Sequence, residues 1–214
     1  MKPYYDEDGI TIYHGDCREV LPIEADAVIT DPVWPNCPKD LLVGADNPEE
    51  LFAFTCSLLP ESVVRIATIM RSDSDPRFLR RIPERFPFLQ VAWLQYVMPH
   101  YIGRVLGGNE CVYVFGEQVR SAPNRRVIPS NGPKVQPQDR PPNGHPCSRA
   151  LKHMAWVVNW FSDAEETILD TFCGSGTILV AAKNAGRRAI GIEIEERYCE
   201  IAAKRLSQKV LQFT

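Results

Sequence analysis

Two spacings of apolar residues alternate along the chain and predict strands and helices in turn. Short apolar runs, often rich in β-branched residues, predict strands. These runs lie at 9–13, 26–30, 62–70, 88–98, 110–115, 167–170 and 189–194. Strands that alternate with helices are typical of an α/β fold with a mostly parallel sheet. The glycine-rich connection between 88–98 and 110–115 predicts that these two strands form an antiparallel hairpin at a sheet edge.

Apolar residues three and four positions apart predict the helices. The predicted helices lie at 49–59, 76–86, 148–161, 178–185 and 195–206. In the first of them, we expect Leu51, Phe54, Leu58 and Leu59 to face the core. The segment 117–144 is rich in proline, asparagine, arginine and glutamine and predicts a long loop.

Composition places the chain among ordinary soluble globular proteins, with 44% hydrophobic and 24% charged residues. No apolar run approaches the roughly 20 residues that cross a membrane, and the acidic N-terminal segment is not a signal peptide. Seven scattered cysteines without C-x-x-C pairs argue against a disulfide framework and a zinc site. We therefore expect a single cytoplasmic domain, 1–214, with reduced thiols and no metal.

Charge is distributed unevenly along the chain. The formal net charge is −3, but the segment 118–152 contains seven basic residues and one acidic residue, a local net charge of +6. A polyanion would be drawn to such a segment, although a solvated charged loop has the same composition. The residues that we expect to contact DNA phosphates are Arg120, Arg125, Arg126, Lys134 and Arg140.

The segment Thr167 to Glu193 has the pattern strand, glycine turn, helix, strand. Two glycines at a strand-to-helix turn let the backbone approach a ligand closely. Glu193 follows Gly176 by 17 positions, close to the spacing at which an acidic residue binds a ribose in nucleotide sites. The third glycine of a nicotinamide site would be at position 179, which is Leu179. The segment predicts a cofactor site of nucleotide type, although a tight turn alone would need the same glycines.

The run from His145 to Leu206 resembles the C-terminal part of amino-group DNA methyltransferases, most closely their β class. In that class the S-adenosylmethionine (SAM) loop follows the catalytic motif in the chain, a circularly permuted order. The resemblance implies a Rossmann-like methyltransferase fold with a catalytic part at 9–116, a basic recognition loop at 117–144 and a SAM-binding part at 145–206. It implies that the F-C-G-S-G turn holds the methionine part of SAM and that Glu193 binds its ribose.

The same resemblance implies a larger set of cofactor contacts. Asp16 and Cys17 match a loop beside the SAM adenine, and His145 and Ser148 match an element beside the methionine carboxylate. The expected cofactor-binding residues are Asp16, Cys17, Asp31, His145, Ser148, Asp170, Phe172, Cys173, Gly174, Ser175, Gly176, Glu193 and Ile194. The expected product is S-adenosylhomocysteine.

The tetrapeptide Asp31-Pro32-Val33-Trp34 follows a predicted buried strand, where ligands bind in open α/β sheets. It resembles the [D/N/S]-P-P-[Y/F/W] motif of amino-methyltransferases. The resemblance implies that Asp31 and the Pro32 carbonyl accept the N–H groups of the target amine and that Trp34 stacks on the extruded base. Val33 departs from the motif, in which proline usually stands, and this departure affects the stiffness of the turn. A strand ending in an Asp-Pro turn is the simpler alternative.

These features predict SAM-dependent methylation of an exocyclic amine of DNA, with short or relaxed sequence specificity. Asp rather than Ser before the proline favours adenine N6, and cytosine N4 is the alternative. A catalytically weak SAM-binding relative or subunit, or an enzyme acting on RNA or a protein amide, are further alternatives. Pro146-Cys147 resembles the dipeptide of cytosine-C5 enzymes, but it precedes the SAM loop instead of following it. We expect DNA as a partner, possible homodimers, no membrane, and a bacterial or phage-infected host cell.

Overall fold

Strands and helices alternate along the chain, as the apolar spacing predicts. The computed structural model describes residues 1–97, 100–102, 105–107, 109–120, 129–136, 139 and 144–208. The strands are β1 Tyr5–Glu7, β2 Ile10–His14, β3 Ala27–Thr30, β4 Arg65–Arg71, β5 Phe88–Leu94, β6 His100–Ile102, β7 Val105–Gly107, β8 Glu110–Gly116, β9 Thr167–Asp170 and β10 Arg188–Glu193. The α-helices are α1 Cys17–Val20, α2 Pro48–Ser57, α3 Leu151–Phe161, α4 Thr177–Asn184 and α5 Glu196–Leu206, and Pro76–Arg81 is a 3₁₀ helix.

Within the described residues, eight strands form one mixed sheet in the order β1-β2-β10-β9-β3-β4-β8-β5. The five strands from β2 to β4 in this order are parallel. At one edge β8 runs antiparallel to both β4 and β5, which confirms the predicted edge hairpin. At the other edge β1 pairs antiparallel with β2, a strand that the sequence did not predict. The short strands β6 and β7 pair with each other in the connection between β5 and β8.

The central parallel strands supply side chains to two cores, one on each face of the sheet. Ile29 and Ile168 pack with helices α3, α4 and α5, whereas Val28 and Leu169 pack with α1, α2 and the 3₁₀ helix. Neighbouring residues of a strand point to opposite faces, so a strand buried on both faces has a continuous apolar sequence. The predicted α/β architecture is therefore confirmed, with helices on both sides of the sheet.

The prediction for α2 is confirmed at three residues and wrong at one. Leu59 belongs to the core on this side of the sheet, and Leu51 and Leu58 pack against it, but Phe54 is 47% exposed. The helix buries Phe52, Thr55 and Cys56 as well. Phe52 stacks on Phe78 of the 3₁₀ helix, with ring centroids 4.6 Å apart, so the position of the 3₁₀ helix favours burial of Phe52 over Phe54.

Two predicted helices have other bounds than expected. The helix predicted at 76–86 is a 3₁₀ helix that ends at Arg81, two residues before Pro83, since a residue that precedes proline disfavours helical geometry. The helix predicted from 148 begins at Leu151, because Ala150 at its N-cap has extended backbone angles. The residues just before α3 are therefore extended chain, and they lie beside the site described next.

Candidate active site

Four acidic residues follow four neighbouring parallel strands at the same edge of the sheet. Asp16 lies two residues after β2, Glu193 ends β10, Asp170 ends β9 and Asp31 follows β3. All four line a cavity of about 390 Å³, a size typical of a small-molecule site. The cavity lies at the carboxyl ends of the strands, where ligands bind in open α/β sheets. Residues that the sequence placed 177 positions apart thus meet in one site.

The turn between β9 and α4 contains two glycines, and each allows a different close contact. Gly174 has φ +49°, and a Cβ atom there would lie 2.9 Å from His145 Nε2. It lines the cavity. Gly176 has φ +74°, and a Cβ atom there would lie 2.7 Å from the Cβ of Ala202 in α5. Gly176 therefore serves the packing of the turn against α5, whereas Gly174 brings the turn against the cavity.

The carboxylate of Glu193 is fixed by the backbone at the wall of the cavity. One oxygen accepts from the Gly174 N–H and the other from the Glu195 N–H, each at 2.8 Å. Glu193 is 8% exposed, and burial raises its pKa despite these two hydrogen bonds. A carboxylate oxygen that accepts one N–H retains a further lone pair, so this group is suited to accept from hydroxyl groups of a ligand.

His145 is a neutral ring between the turn and α5. Its Nδ1 accepts from the Cys147 N–H at 3.1 Å, and its ring lies edge-on to that of Tyr198, with centroids 4.3 Å apart. Burial, together with Arg149 and Arg197, lowers the pKa of His145 to about 4. The ring is therefore uncharged at neutral pH and forms part of the cavity wall.

Asp31 and Trp34 are hydrogen-bonded to each other within the D-P-V-W segment. The Trp34 indole N–H donates to Asp31 Oδ1 at 3.0 Å and to the Ile69 carbonyl at 3.2 Å. Pro32 and Val33 are also buried in the cavity wall. Trp34 is only 8% exposed, and its ring is covered by a guanidinium group. Its expected role as a stacking surface for a base stays a prediction.

That guanidinium belongs to Arg149, which the sequence placed in the exposed basic segment. Arg149 is instead 6% exposed. Its Nε lies 2.6 Å from Asp31 Oδ2, its Nη1 lies 3.1 Å from Glu110 Oε1, and its Cζ lies 4.3 Å from the Trp34 ring centroid. The inclusion of Arg149 in the surface charge was wrong. Sequence reasoning missed Arg149 and Glu110 as site residues because each has its partners in distant parts of the chain.

Burial changes the pKa of the two central aspartates. Burial raises the pKa of Asp31 to about 6, with Arg149 lowering it and Glu110 raising it. Burial raises the pKa of Asp170 to about 7, partly offset by the Thr30 hydroxyl, which donates to it at 2.9 Å. Strongly shifted groups in a cavity are typical of functional sites.

Asp16 and Cys17 line the cavity at the start of α1. The Asp16 carboxylate accepts from the Arg18 N–H at 2.9 Å and from the Arg18 side chain at 2.6 Å, which lowers its pKa. Cys17 is buried and contacts the Thr55 hydroxyl at 3.3 Å. Asp16 thus caps α1 and remains at the cavity wall.

The remaining expected cofactor residues occupy the same cavity. Ser148, Phe172, Cys173, Ser175 and Ile194 line it, although Ser148 precedes α3 instead of starting it. Further lining residues come from the loop before α2. They include Leu42, Val43, Gly44, Asp46 and Asn47.

The predicted DNA-contacting residues are only partly described. Arg120 and Lys134 are exposed, and the Arg120 backbone N–H donates to the Asp163 carboxylate at 2.8 Å. Arg125, Arg126 and Arg140 lie outside the described residues. The segment around Lys134 lies along the edge strand β5, where Asn131 pairs with Trp93.

The described residues contain no helix that is both long and apolar enough to cross a membrane. They also contain no cluster of three or more histidine, cysteine or acidic side chains that could hold a metal ion.

A family model described as DNA methylase, of the N6 and N4 type, matches residues 16–204. The match begins after β2 and ends within α5. The chain belongs to the N6/N4 DNA methylase family. All residues that line the cavity, except Gly15, lie within this match.

Individual relatives match shorter segments. The chain is 29% identical to putative methylase YubD of Escherichia coli over 106 residues, which are 49% of this chain and 45% of that protein. It is 62% identical to type II methyltransferase M2.DpnII of Streptococcus pneumoniae over 62 residues, 29% of this chain and 23% of that protein. The matched segments thus span less than half the length of these relatives.

Solved structures share the fold over nearly the whole chain. The M1.HpyAVI–SAM complex superposes with a TM-score of 0.69 at 22% identity and covers 93% of this chain and 100% of that chain. The cytosine-N4-specific PvuII DNA methyltransferase superposes with a TM-score of 0.67 at 14% identity and covers 99% of this chain and 91% of that chain. These structures confirm the predicted Rossmann-like methyltransferase fold.

Proposed function

We propose that this protein is a SAM-dependent DNA methyltransferase that modifies an exocyclic amine, with adenine N6 as the target. The observation that carries the proposal is the juxtaposition of Asp31 and Glu193 in one cavity. The Asp31 carboxylate is suited to accept from a target amine, and the Glu193 carboxylate is suited to accept from ribose hydroxyl groups. Membership in the N6/N4 family supports the reaction class.

The cavity residues fit SAM. Glu193 has its two oxygens fixed by backbone N–H groups and can accept from the ribose hydroxyls. Gly174 brings the turn close to the cavity, where any side chain would meet His145. The neutral His145 and the Ser148 side chain line the end proposed for the methionine part. When bound, SAM supplies an electrophilic methyl group.

The D-P-V-W segment would make the target amine more nucleophilic. An exocyclic amine is a poor nucleophile because its lone pair is delocalised into the ring. The Asp31 carboxylate and the Pro32 carbonyl can each accept one N–H, which favours a geometry that frees the lone pair. No covalent bond to the protein is required, so orientation of the two reactants contributes most of the acceleration.

Cytosine N4 is a second candidate target. The N4 amine presents the same two N–H groups, and the PvuII enzyme, named as specific for cytosine N4, has the same fold. The carboxylate of Asp31 favours adenine in our proposal, as the resemblance to the D-P-P motif implies. Val33 in place of proline leaves a third candidate, a SAM-binding protein with weak activity.

Mass spectrometry of nucleosides distinguishes these candidates. Purified protein is incubated with deuterated-methyl SAM and with unmethylated DNA, RNA or protein, and the DNA is digested to nucleosides. We expect labelled N6-methyldeoxyadenosine from DNA. Labelled N4-methyldeoxycytidine would establish the second candidate, and absence of label from DNA would refute DNA methylation.

The variant Asp31→Ala tests the site in the same assay. We expect methyl transfer to fall by at least about a hundredfold while SAM affinity changes little, because removing a positioned polar group at a reacting centre costs about 10²–10³-fold in rate. Asp40→Ala is the matched control, since Asp40 is an exposed aspartate of the loop that follows the motif. Near-normal turnover of Asp31→Ala would show that the D-P-V-W segment is not the active site.

A further inference from the structure

Three charged side chains form a buried cluster that joins β3, β8 and the start of α3. The Arg149 side chain is 7% exposed and the Glu110 side chain 3% exposed. Arg149 bridges Asp31, at 2.6 Å, and Glu110, at 3.1 Å. The other oxygen of Glu110 accepts from the Tyr96 hydroxyl at 3.2 Å. Glu110 therefore anchors Arg149, which in turn contacts Asp31.

Stability alone does not account for such a cluster. The desolvation of buried ions offsets much of their attraction, and apolar replacements are often neutral or stabilising. One cation between two carboxylates also leaves a net charge of −1 when both are ionised. Arg149 acts on Asp31 chiefly through its charge and, to a smaller extent, through a hydrogen bond.

Arg149 contacts both polar side chains of the D-P-V-W segment. Its guanidinium covers the ring of Trp34, 4.3 Å from the centroid, while the indole N–H of Trp34 donates to Asp31. We infer that Arg149, anchored by Glu110, is a positioning residue that fixes the orientation and the ionised state of Asp31 for methyl transfer. This inference rests on the proposed catalytic role of Asp31.

The two neighbours act on Asp31 in opposite directions. The guanidinium of Arg149 favours the carboxylate, and the carboxylate of Glu110 disfavours it. Other charged or titratable groups near Asp31 and Trp34 are Asp170 on β9, Arg71 on β4 and Cys37 in the following loop. These three groups are the same in all variants below, so they do not affect the direction of a change.

Trp34 provides a readout that needs neither SAM nor DNA. With 5-fluorotryptophan incorporated, the ¹⁹F resonance of Trp34, assigned by Trp34→Phe, should titrate with Asp31 in the free protein. The pKa of Asp31 predicts a midpoint near pH 6. Arg149→Gln should move this midpoint upward by about one pH unit or more, and Glu110→Gln should move it downward.

Two variants serve as controls. Arg149→Lys keeps the positive charge but lacks the planar guanidinium group with its several N–H donors. It should therefore shift the midpoint of the ¹⁹F titration less than Arg149→Gln does. Lys152→Gln removes an exposed cation three residues further along the chain and should leave the midpoint in place. Opposite shifts cannot result from a general loss of structure. Should Arg149→Gln not fold, Glu110→Gln decides alone. Midpoints that shift in the same direction, or an unmoved or raised midpoint in Glu110→Gln, would overturn the inference.

The pH profile of methyl transfer connects this result with activity. In variants that fold, kcat should rise through the same midpoints as the ¹⁹F titration, with KM for DNA less affected. Shifted ¹⁹F midpoints without methyl transfer by any form would refute the proposed function and leave the assignment of Arg149 to Asp31 intact. Activity profiles that do not follow the midpoints would overturn the positioning role.

Discussion

The carboxylates of the site differ in what surrounds them, and this difference assigns them different tasks. Glu193 is fixed by two backbone N–H groups, whereas Asp31 depends on the Trp34 indole and on a guanidinium. Backbone N–H donors are fixed by the fold and do not depend on the position of another side chain. Side-chain donors can be tuned by their own neighbours. A carboxylate that binds a ribose needs only backbone donors. A carboxylate that acts on a reacting amine benefits from side-chain donors, because these can adjust its pKa.

The substitution Glu193→Ala tests the ribose contact. We expect SAM affinity to fall by about 1.5–3 kcal/mol of binding free energy, as for the loss of a hydrogen bond to a charged acceptor. Isothermal titration calorimetry of the folded variant measures it, with Glu200→Ala, an exposed glutamate of α5, as the control. Unchanged affinity would remove Glu193 from the cofactor site.

At the scale of elements, the turn between β9 and α4 is determined by what packs behind it. Gly176 and Gly186 flank α4 and both have positive φ, +74° and +68°. A Cβ atom at Gly176 would meet Ala202 of α5, whereas a Cβ atom at Gly186 would meet nothing within 4 Å. A side chain at Gly186 would therefore cause backbone strain alone, whereas a side chain at Gly176 would cause backbone strain and a steric clash with α5.

We predict that Gly176→Ala destabilises the protein more than Gly186→Ala. Each variant pays about 1–2 kcal/mol for a left-handed alanine, and Gly176→Ala adds about 1–3 kcal/mol of overpacking against α5. Urea denaturation gives both free energies of unfolding. Equal losses would mean that α5 does not pack tightly on the turn.

At the scale of the whole molecule, the parallel sheet collects acidic residues at one edge, and their burial makes stability depend on pH. The pKa of Asp170 lies near 7 in the folded protein, against 3.8 for an unperturbed aspartate. The folded state therefore binds more protons than the unfolded state between these values. The stabilising contribution is present below about pH 4 and is lost as the pH rises through 7.

The variant Asp170→Asn removes this titration and keeps an acceptor for Thr30. We expect the Asn variant to gain stability relative to the natural protein as the pH rises from 4 to 8, by a few kcal/mol. Thermal unfolding across this range provides the measurement. A constant difference between the two proteins would show that Asp170 has an ordinary pKa.

The basic segment 117–144 leads to a prediction about how the whole molecule binds DNA. Phosphate contacts position a protein without reading sequence, and 117–144 leaves few side chains for base edges, so we expect a target of a few base pairs. Lys134→Ala should lower the slope of log affinity against log salt by about 0.9, whereas Lys204→Ala, in the last turn of α5, should not. A methylome in which one motif of six or more defined bases accounts for every site would contradict the prediction.

The sequence by itself determined the order of the helices and of all strands except the short β1, β6 and β7, the edge hairpin, the glycine turn, and the position of Asp31, Asp170 and Glu193 at the ends of strands. These features are local, because apolar spacing and turn residues act over a few positions. Resemblance to a family then implied the cofactor and the reaction.

Only the tertiary structure decided that α2 buries Phe52 instead of Phe54, that Gly176 packs on α5, and that Arg149 is buried beside Asp31 and Glu110 instead of lying on the basic surface. Arg149 lies 118 positions from Asp31 and 39 from Glu110, and an arginine within a basic segment gives no local sign of a buried partner. Such contacts arise because the sheet brings β3 and β8 to either side of β4, with the extended chain before α3 placed beside them. A buried charge depends on its partners in space, and the sequence determines those partners only through the whole fold.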